Sequence, residues 1–279
     1  MSNTAPSSVR LRRVTPPVAI VTGAARGIGA STALLLAQSG WSVVLLDVCR
    51  DNPALSYPMA TESQLHDVAL RCSEAGATVL EIVADVRDRE ALEAAAVQTV
   101  KEFGQIDAAV AAAGAIAGPS LSWEGDQDLW RTMMEINFDG VRHLAEAVLP
   151  KILVHPAPRS GRFVAVASTA GMVGLSGLSA YCAAKSAVIS YIRSLAADLT
   201  DSGITANAVS PGSTRTAILD ASASIYGLDS VDKFGEHHAL RRILEPDEPA
   251  SAVAWLCSPA ASGVTGTVIA VDGGMASVR

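Results

Sequence analysis

At 279 residues with 49% hydrophobic content, the chain has ample apolar material for one large core. Aromatics are only 4%, so small residues must fill that core, which suits helices packed closely on a sheet. A net charge of −7 excludes the basic footprint of a nucleic-acid surface. No apolar run is long enough for a membrane span. The four cysteines, Cys49, Cys72, Cys182 and Cys257, form no C-x-x-C pair, which predicts reduced thiols in a cytoplasmic protein and neither a disulfide framework nor a metal site.

Residues 1–16, rich in Ser, Thr, Pro and Arg without an apolar segment, read as a flexible tail rather than a signal peptide. Beyond them, short apolar runs alternate with segments of helical period. The runs at 17–22, 41–47, 78–85, 106–114, 161–168, 204–210 and 266–272 predict seven strands. Most are continuously apolar, as in parallel strands covered on both faces. Helices are predicted near 27–39, 62–75, 88–103, 126–154, 179–201 and 246–258, with Asp88 and Ser179 as candidate caps. The alternation predicts a single-domain, doubly wound α/β sheet over 17–279. Two segments break it: a Pro-containing insertion at 49–63 and an irregular stretch at about 213–245, the candidate substrate lid.

After the first strand comes TGAARGIG, whose Gly23, Gly27 and Gly29 lead straight into a helix. Glycines there let the backbone approach a pyrophosphate, whose charge is met by helix N-terminal amides. Arg26 and Ile28 belong to the same loop. Asp47 ends the second strand, where a carboxylate accepts from adenosine ribose hydroxyls and repels a 2′-phosphate. Arg26 is a mild signal the other way. In SAYCAAK, Tyr181 and Lys185 are four residues apart and share a helix face. A phenol is a poor base at neutral pH unless a neighbouring ammonium favours phenolate. Ser168 ends the fifth strand, where α/β sheets place their ligands.

This set resembles the short-chain dehydrogenases/reductases, from about residue 17 to 275. The G-x-x-x-G-x-G spacing, ADVRD with Asp85 and Val86, Asn137 in EINFDG, Ser168, Tyr181, Lys185 and SPGSTRT all match the family pattern. AAAG (111–114) departs from it, because Ala112 stands where the family has an Asn. The resemblance implies NAD as cofactor, with Asp85 and Val86 at the adenine edge, backbone approach at Ala113 and Gly114, and contacts from Pro211, Gly212, Thr214 and Thr216. It implies Tyr181 as acid/base, Ser168 orienting the substrate oxygen, Lys185 holding the nicotinamide ribose, and Asn137 holding a relay water. It also implies a homotetramer. The insertion resembles that of carveol-dehydrogenase-like enzymes associated with mycofactocin, in which it covers the bound NAD; here that cover is expected over the adenosine half. The expected activity is hydride exchange between NAD and an apolar secondary alcohol or ketone, such as a terpenoid, with a steroid or acyl ketone as alternative substrate. A non-catalytic NAD-binding regulator is the rival reading, and a dehydratase or epimerase a third. His237 and His238 read as solvated loop histidines, and Trp123, Met133 and Met134 as core.

Overall fold

The computed structural model describes residues 15–155 and 159–277. Of the predicted tail only Thr15 and Pro16 fall among them; the rest lies outside the described residues. All seven predicted strands form: β1 (Val18–Thr22), β2 (Ser42–Asp47), β3 (Val79–Val83), β4 (Ala108–Ala111), β5 (Arg162–Val166), β6 (Thr205–Pro211) and β7 (Val268–Val271). They make one parallel sheet in the order β3-β2-β1-β4-β5-β6-β7. Order reverses between β1 and β4, which are joined in register from Ala19↔Ala108 to Thr22↔Ala111. Ligands bind beyond the carboxyl ends of strands at such a switch point.

Helices cover both faces. They are α1 (Gly27–Gln38), α2 (Glu62–Glu74), α3 (Arg89–Phe103), α4 (Gln127–Met134), α5 (Gly140–Leu153), α6 (Ser179–Asp198), α7 (Ala217–Ile225) and α8 (Asp247–Cys257). Alternate strand residues feed two cores: Val18 and Ile20 join the layer of α3, α5 and α6, while Ala19 and Val21 join that of α1, α2 and α8. Both sides of β1 are thus apolar, which is why it reads as an unbroken apolar run. Asp88 caps α3 as predicted, accepting from Ala91 N at 3.0 Å. Ser179 does not cap α6; it is the helix's first residue, and the preceding Leu178 gives no side-chain cap.

The helix predicted over 126–154 is interrupted. Between α4 and α5 the backbone widens into a π turn at Glu135–Asp139 that contains Asn137. Asn137 Nδ2 donates to Met133 O, four residues back, at 3.0 Å and to Ala115 O at 2.9 Å. A side chain inserted between a helix and the loop beyond β4 stabilises the wider turn.

The stretch 213–245 is more ordered than its sequence implies. It holds α7 and a 3-10 turn at Val231–His237, packed on a small core of Leu219, Ala223, Phe234 and Ile243. Its ends are laced together, Arg215 N donating to Leu244 O at 2.8 Å and Leu244 N to Ser213 O at 2.9 Å. The solvated reading of the histidines fails for His238, which is 1% exposed and accepts from Ser213 N through Nε2 at 3.1 Å. His237 is exposed. Met133 is core, but Trp123 is 80% exposed and Met134 only half-buried. Among the described residues no group of three potential metal ligands occurs, and no helix is long and apolar enough to cross a membrane.

Candidate active site

A cleft of about 630 Å³ opens at the carboxyl ends of the strands, across the switch point. Every residue expected to touch cofactor or substrate lines it except Asn137, which lies behind the wall. At the phosphate end the chain turns so tightly that a Cβ on Gly29 would sit 2.1 Å from Gly23 O. One on Gly23 would sit 2.7 Å from the Ala113 backbone. Only glycine fits, and the cradle opens onto the first turn of α1, whose N-cap Arg26 supplies no side-chain bond. The amides of that turn are the donors that an anionic pyrophosphate would meet.

Asp47 is 8% exposed and held by Ala25 N, donating to Oδ2 at 3.1 Å, and by its neighbour Val48 N, donating to Oδ1 at 2.8 Å. The carboxylate is therefore fixed at the end of β2 with lone pairs to spare. Asp85 is different. Burial pushes its carboxyl up, but hydrogen bonds from Arg87, at 2.7 Å to Oδ2 and 3.1 Å to Oδ1, and one from Arg50 more than reverse this. Its side chain is committed to those guanidiniums, so what it offers the cleft is a fixed backbone and the buried Val86 beside it. At Ala112, the departure from the family pattern, the end of β4 is tied to the neighbouring strand through its backbone. Thr22 Oγ1 accepts from Ala112 N at 3.2 Å and from Ala113 N at 3.3 Å, bracing β4 to β1.

At the other end Ser168, Tyr181 and Lys185 converge. Ser168 Oγ accepts from Ala170 N at 3.1 Å, which fixes the turn beyond β5. Lys185 Nζ donates to Val166 O at 2.9 Å and lies 5.9 Å from the Tyr181 ring centroid. Burial draws Lys185 down to about 8. Burial also pushes Tyr181 up to about 12, against the opposing effect of the Ser168 hydroxyl. In the protein without dinucleotide, desolvation is the largest influence on both groups, raising the phenol and lowering the ammonium. Asn137 is fully buried, with both amide hydrogens on backbone carbonyls and Oδ1 accepting from Ala115 N at 3.2 Å. A Cβ on Gly114 would lie 3.1 Å from that Oδ1 and 3.5 Å from Lys185 Nζ, so the bare glycine is what brings the two side chains so near the cleft. Thr214 Oγ1 donates to Gly212 O at 3.0 Å and Thr216 Oγ1 to Thr214 O at 3.2 Å, shaping the turn after β6.

Beyond Tyr181 the cleft is walled by apolar groups, among them Ile116, Leu178, Ile218 and Phe234. Sequence reading missed how the insertion takes part. Arg26 Nη2 donates to Pro58 O at 3.1 Å, and Ile116 N donates to Tyr57 Oη at 3.0 Å. Leu55, Tyr57 and Met59 pack on the cluster that holds Tyr181 and Ile116.

Joined in one cleft, a pyrophosphate cradle and a buried phenol define the class: a dinucleotide-dependent oxidoreductase. The comparisons agree. A family model described as enoyl-(acyl carrier protein) reductase matches residues 23–276. The chain is 34% identical over 275 residues to (−)-trans-carveol dehydrogenase of Rhodococcus erythropolis, covering 95% of this chain and 99% of that protein. It is 36% identical over 261 residues to cis-4-hydroxycyclohexanecarboxylate dehydrogenase of Sinomonas cyclohexanicum, covering 94% and 97%. The solved structure of carveol dehydrogenase from Mycobacterium avium in complex with NAD superposes with a TM-score of 0.89 at 30% identity, covering 94% and 98%. The chain belongs to the short-chain dehydrogenase/reductase family.

Proposed function

We propose that the chain is an NAD-dependent dehydrogenase that interconverts an apolar cyclic secondary alcohol and its ketone. The observation that carries this reading is the convergence of half-buried Ser168 with buried Tyr181 and Lys185, set between the glycine cradle and an apolar wall. Bound NAD supplies the hydride acceptor and a positive ring charge in the cleft. Asp47 accepts from the adenosine ribose and disfavours a 2′-phosphate. Arg26 is already engaged with Pro58 O, which weakens the signal for NADP. Ser168 hydrogen-bonds the substrate oxygen and aims it at Tyr181, whose Oη takes the hydroxyl proton during oxidation and returns it during reduction. Lys185 holds the nicotinamide ribose. Asn137 positions the loop beyond β4, and the open lone pair of its Oδ1 is what remains to accept from a relay water.

The insertion 49–63 and the lid 213–245 are read as covers of cofactor and substrate respectively. The finer assignments rest on sequence alone: a homotetramer and mycofactocin-linked electron transfer on the family resemblance, and work in the cytoplasm on the unpaired cysteines. Mass analysis of the protein as purified, followed by NADH formation from carveol and from cyclohexanol, tests the reading. The expected result is bound or readily bound NAD and turnover of at least one cyclic alcohol. Binding of NAD with no turnover of any alcohol or ketone would favour the non-catalytic regulator.

A further inference from the structure

The insertion leaves the sheet at the ribose end of the cleft, immediately after Asp47, yet its side chains do not stay there. Its backbone is built to cross the cleft. Asn52 Oδ1 accepts from Ala54 N at 3.0 Å, Asp51 Oδ1 accepts from Met59 N at 2.8 Å, and Thr61 with Gln64 forms a capping box that anchors the far end on α2. Between those ties Leu55 is 9% exposed, and Tyr57 reaches Ile116 N with its hydroxyl at 3.0 Å. Ile116 lines the cleft, and it shares one apolar cluster with Tyr181, Leu178, Leu55 and the Tyr57 ring. Tyr57 is also near enough to Tyr181 to oppose its ionisation.

The loop beyond β4 has few other means of holding its shape at this point. Asn137 fixes Ala115 through both its N–H and its carbonyl, and the next amide, that of Ile116, is the one given to Tyr57. A buried backbone amide requires an acceptor, and Ile116 is buried. Here the acceptor comes from a segment that carries no other expected part of the chemistry.

On the reading of this cleft as a dehydrogenase site, we propose that Tyr57 is a positioning residue for substrate. By holding the Ile116 backbone it sets the apolar wall near Tyr181, so the insertion selects among alcohols as well as covering cofactor. An alcohol whose ring bears a bulky substituent leans on that wall; an unsubstituted ring does not. The insertion therefore joins the two ends of the cleft, through Pro58 on Arg26 and Tyr57 on Ile116.

The test is Tyr57→Phe, which keeps the ring and removes only the acceptor. Losing one hydrogen bond of ordinary strength corresponds to roughly a three- to ten-fold effect. KM for carveol should rise by that factor, with a smaller fall in kcat, while KM for cyclohexanol changes less than about two-fold. Hydrogen exchange at the Ile116 amide, measured on the same variant, should speed up by a similar factor. Equal KM changes for the two alcohols, or no change for either, would overturn the selection role. Unchanged exchange at Ile116 would overturn the proposal even if the protein oxidised no alcohol, a result that by itself speaks against the dehydrogenase reading instead. Tyr57→Leu, which loses ring and hydroxyl, should show both effects more strongly if correctly folded by circular dichroism.

Discussion

Lys185→Met should stabilise the dinucleotide-free protein at pH 7 while abolishing its activity. Lys185 is 4% exposed, and burial lowers its proton affinity from 10.5 to about 8. At about 1.4 kcal/mol per ten-fold change, keeping the ammonium in place at pH 7 opposes folding by about 3 kcal/mol. Met is nearly isosteric and carries no charge, but it forfeits the bond to Val166 O, a loss of about 1 kcal/mol. The net gain is about 2 kcal/mol, or roughly 4–8 °C in Tm for a domain of this size. The pH dependence is the sharper signature. Below pH 8 the lysine is charged in both folded and unfolded chains and the destabilisation is complete. Between pH 8 and 10.5 the unfolded chain binds a proton that the folded one does not, so wild-type stability rises with pH and the advantage of the variant shrinks. Urea unfolding of both proteins at pH 7 and pH 10 measures this. A variant less stable than wild type at pH 7, or one whose advantage is the same at both pH values, would show that Lys185 is not held against its solvation.

Tyr181→Phe should lower kcat by at least about 10²-fold, because the proton-exchanging hydroxyl is gone, yet leave NAD affinity nearly unchanged; a near-normal rate in steady-state assays would remove Tyr181 from the chemistry. Asp47→Ala should narrow the preference for NAD over NADP by about ten-fold or more, since a charge-assisted bond contributes roughly 1.5–3 kcal/mol. Comparing kcat/KM for the two cofactors checks it, and an unaltered ratio would assign Asp47 only to the Ala25 and Val48 amides it holds. Thr22→Val keeps the shape but leaves the Ala112 and Ala113 amides without their shared acceptor, lowering stability by about 1–3 kcal/mol. The same urea midpoint in both proteins would mean that β4 is braced some other way.

The seven strands and most helices were legible because apolar runs and helical period are properties of the chain itself. The Tyr181, Lys185 and Ser168 positions were legible because strand ends and a four-residue helical spacing place them, and the cleft does contain all three. The π turn at Glu135–Asp139 was not, since one widened turn barely disturbs an apolar period and its cause, Asn137 on Ala115, joins residues 22 apart. The Thr22 brace on β4 was hidden for the same reason: it spans from β1 to β4, 90 residues away. His238 was misjudged because adjacent histidines in a polar stretch look solvated, while burial was decided by Gly212 and Gly273, whose lack of side chains makes room for the ring. The depth at which Tyr181 and Lys185 sit was not legible either, since sequence gives the neighbouring charge but not the burial.

The lacing of Ser213–Arg215 to Leu244 gives residues 216–243 the character of an exchangeable cassette. The segment leaves the body of the molecule and returns to it at adjacent points, and it carries an apolar nucleus of its own in Leu219, Ala223, Phe234 and Ile243. The cassette is also keyed to the body at two further places, Thr216 against Gly27 and His238 on Gly212 and Gly273, so any transplanted counterpart would have to keep those two residues.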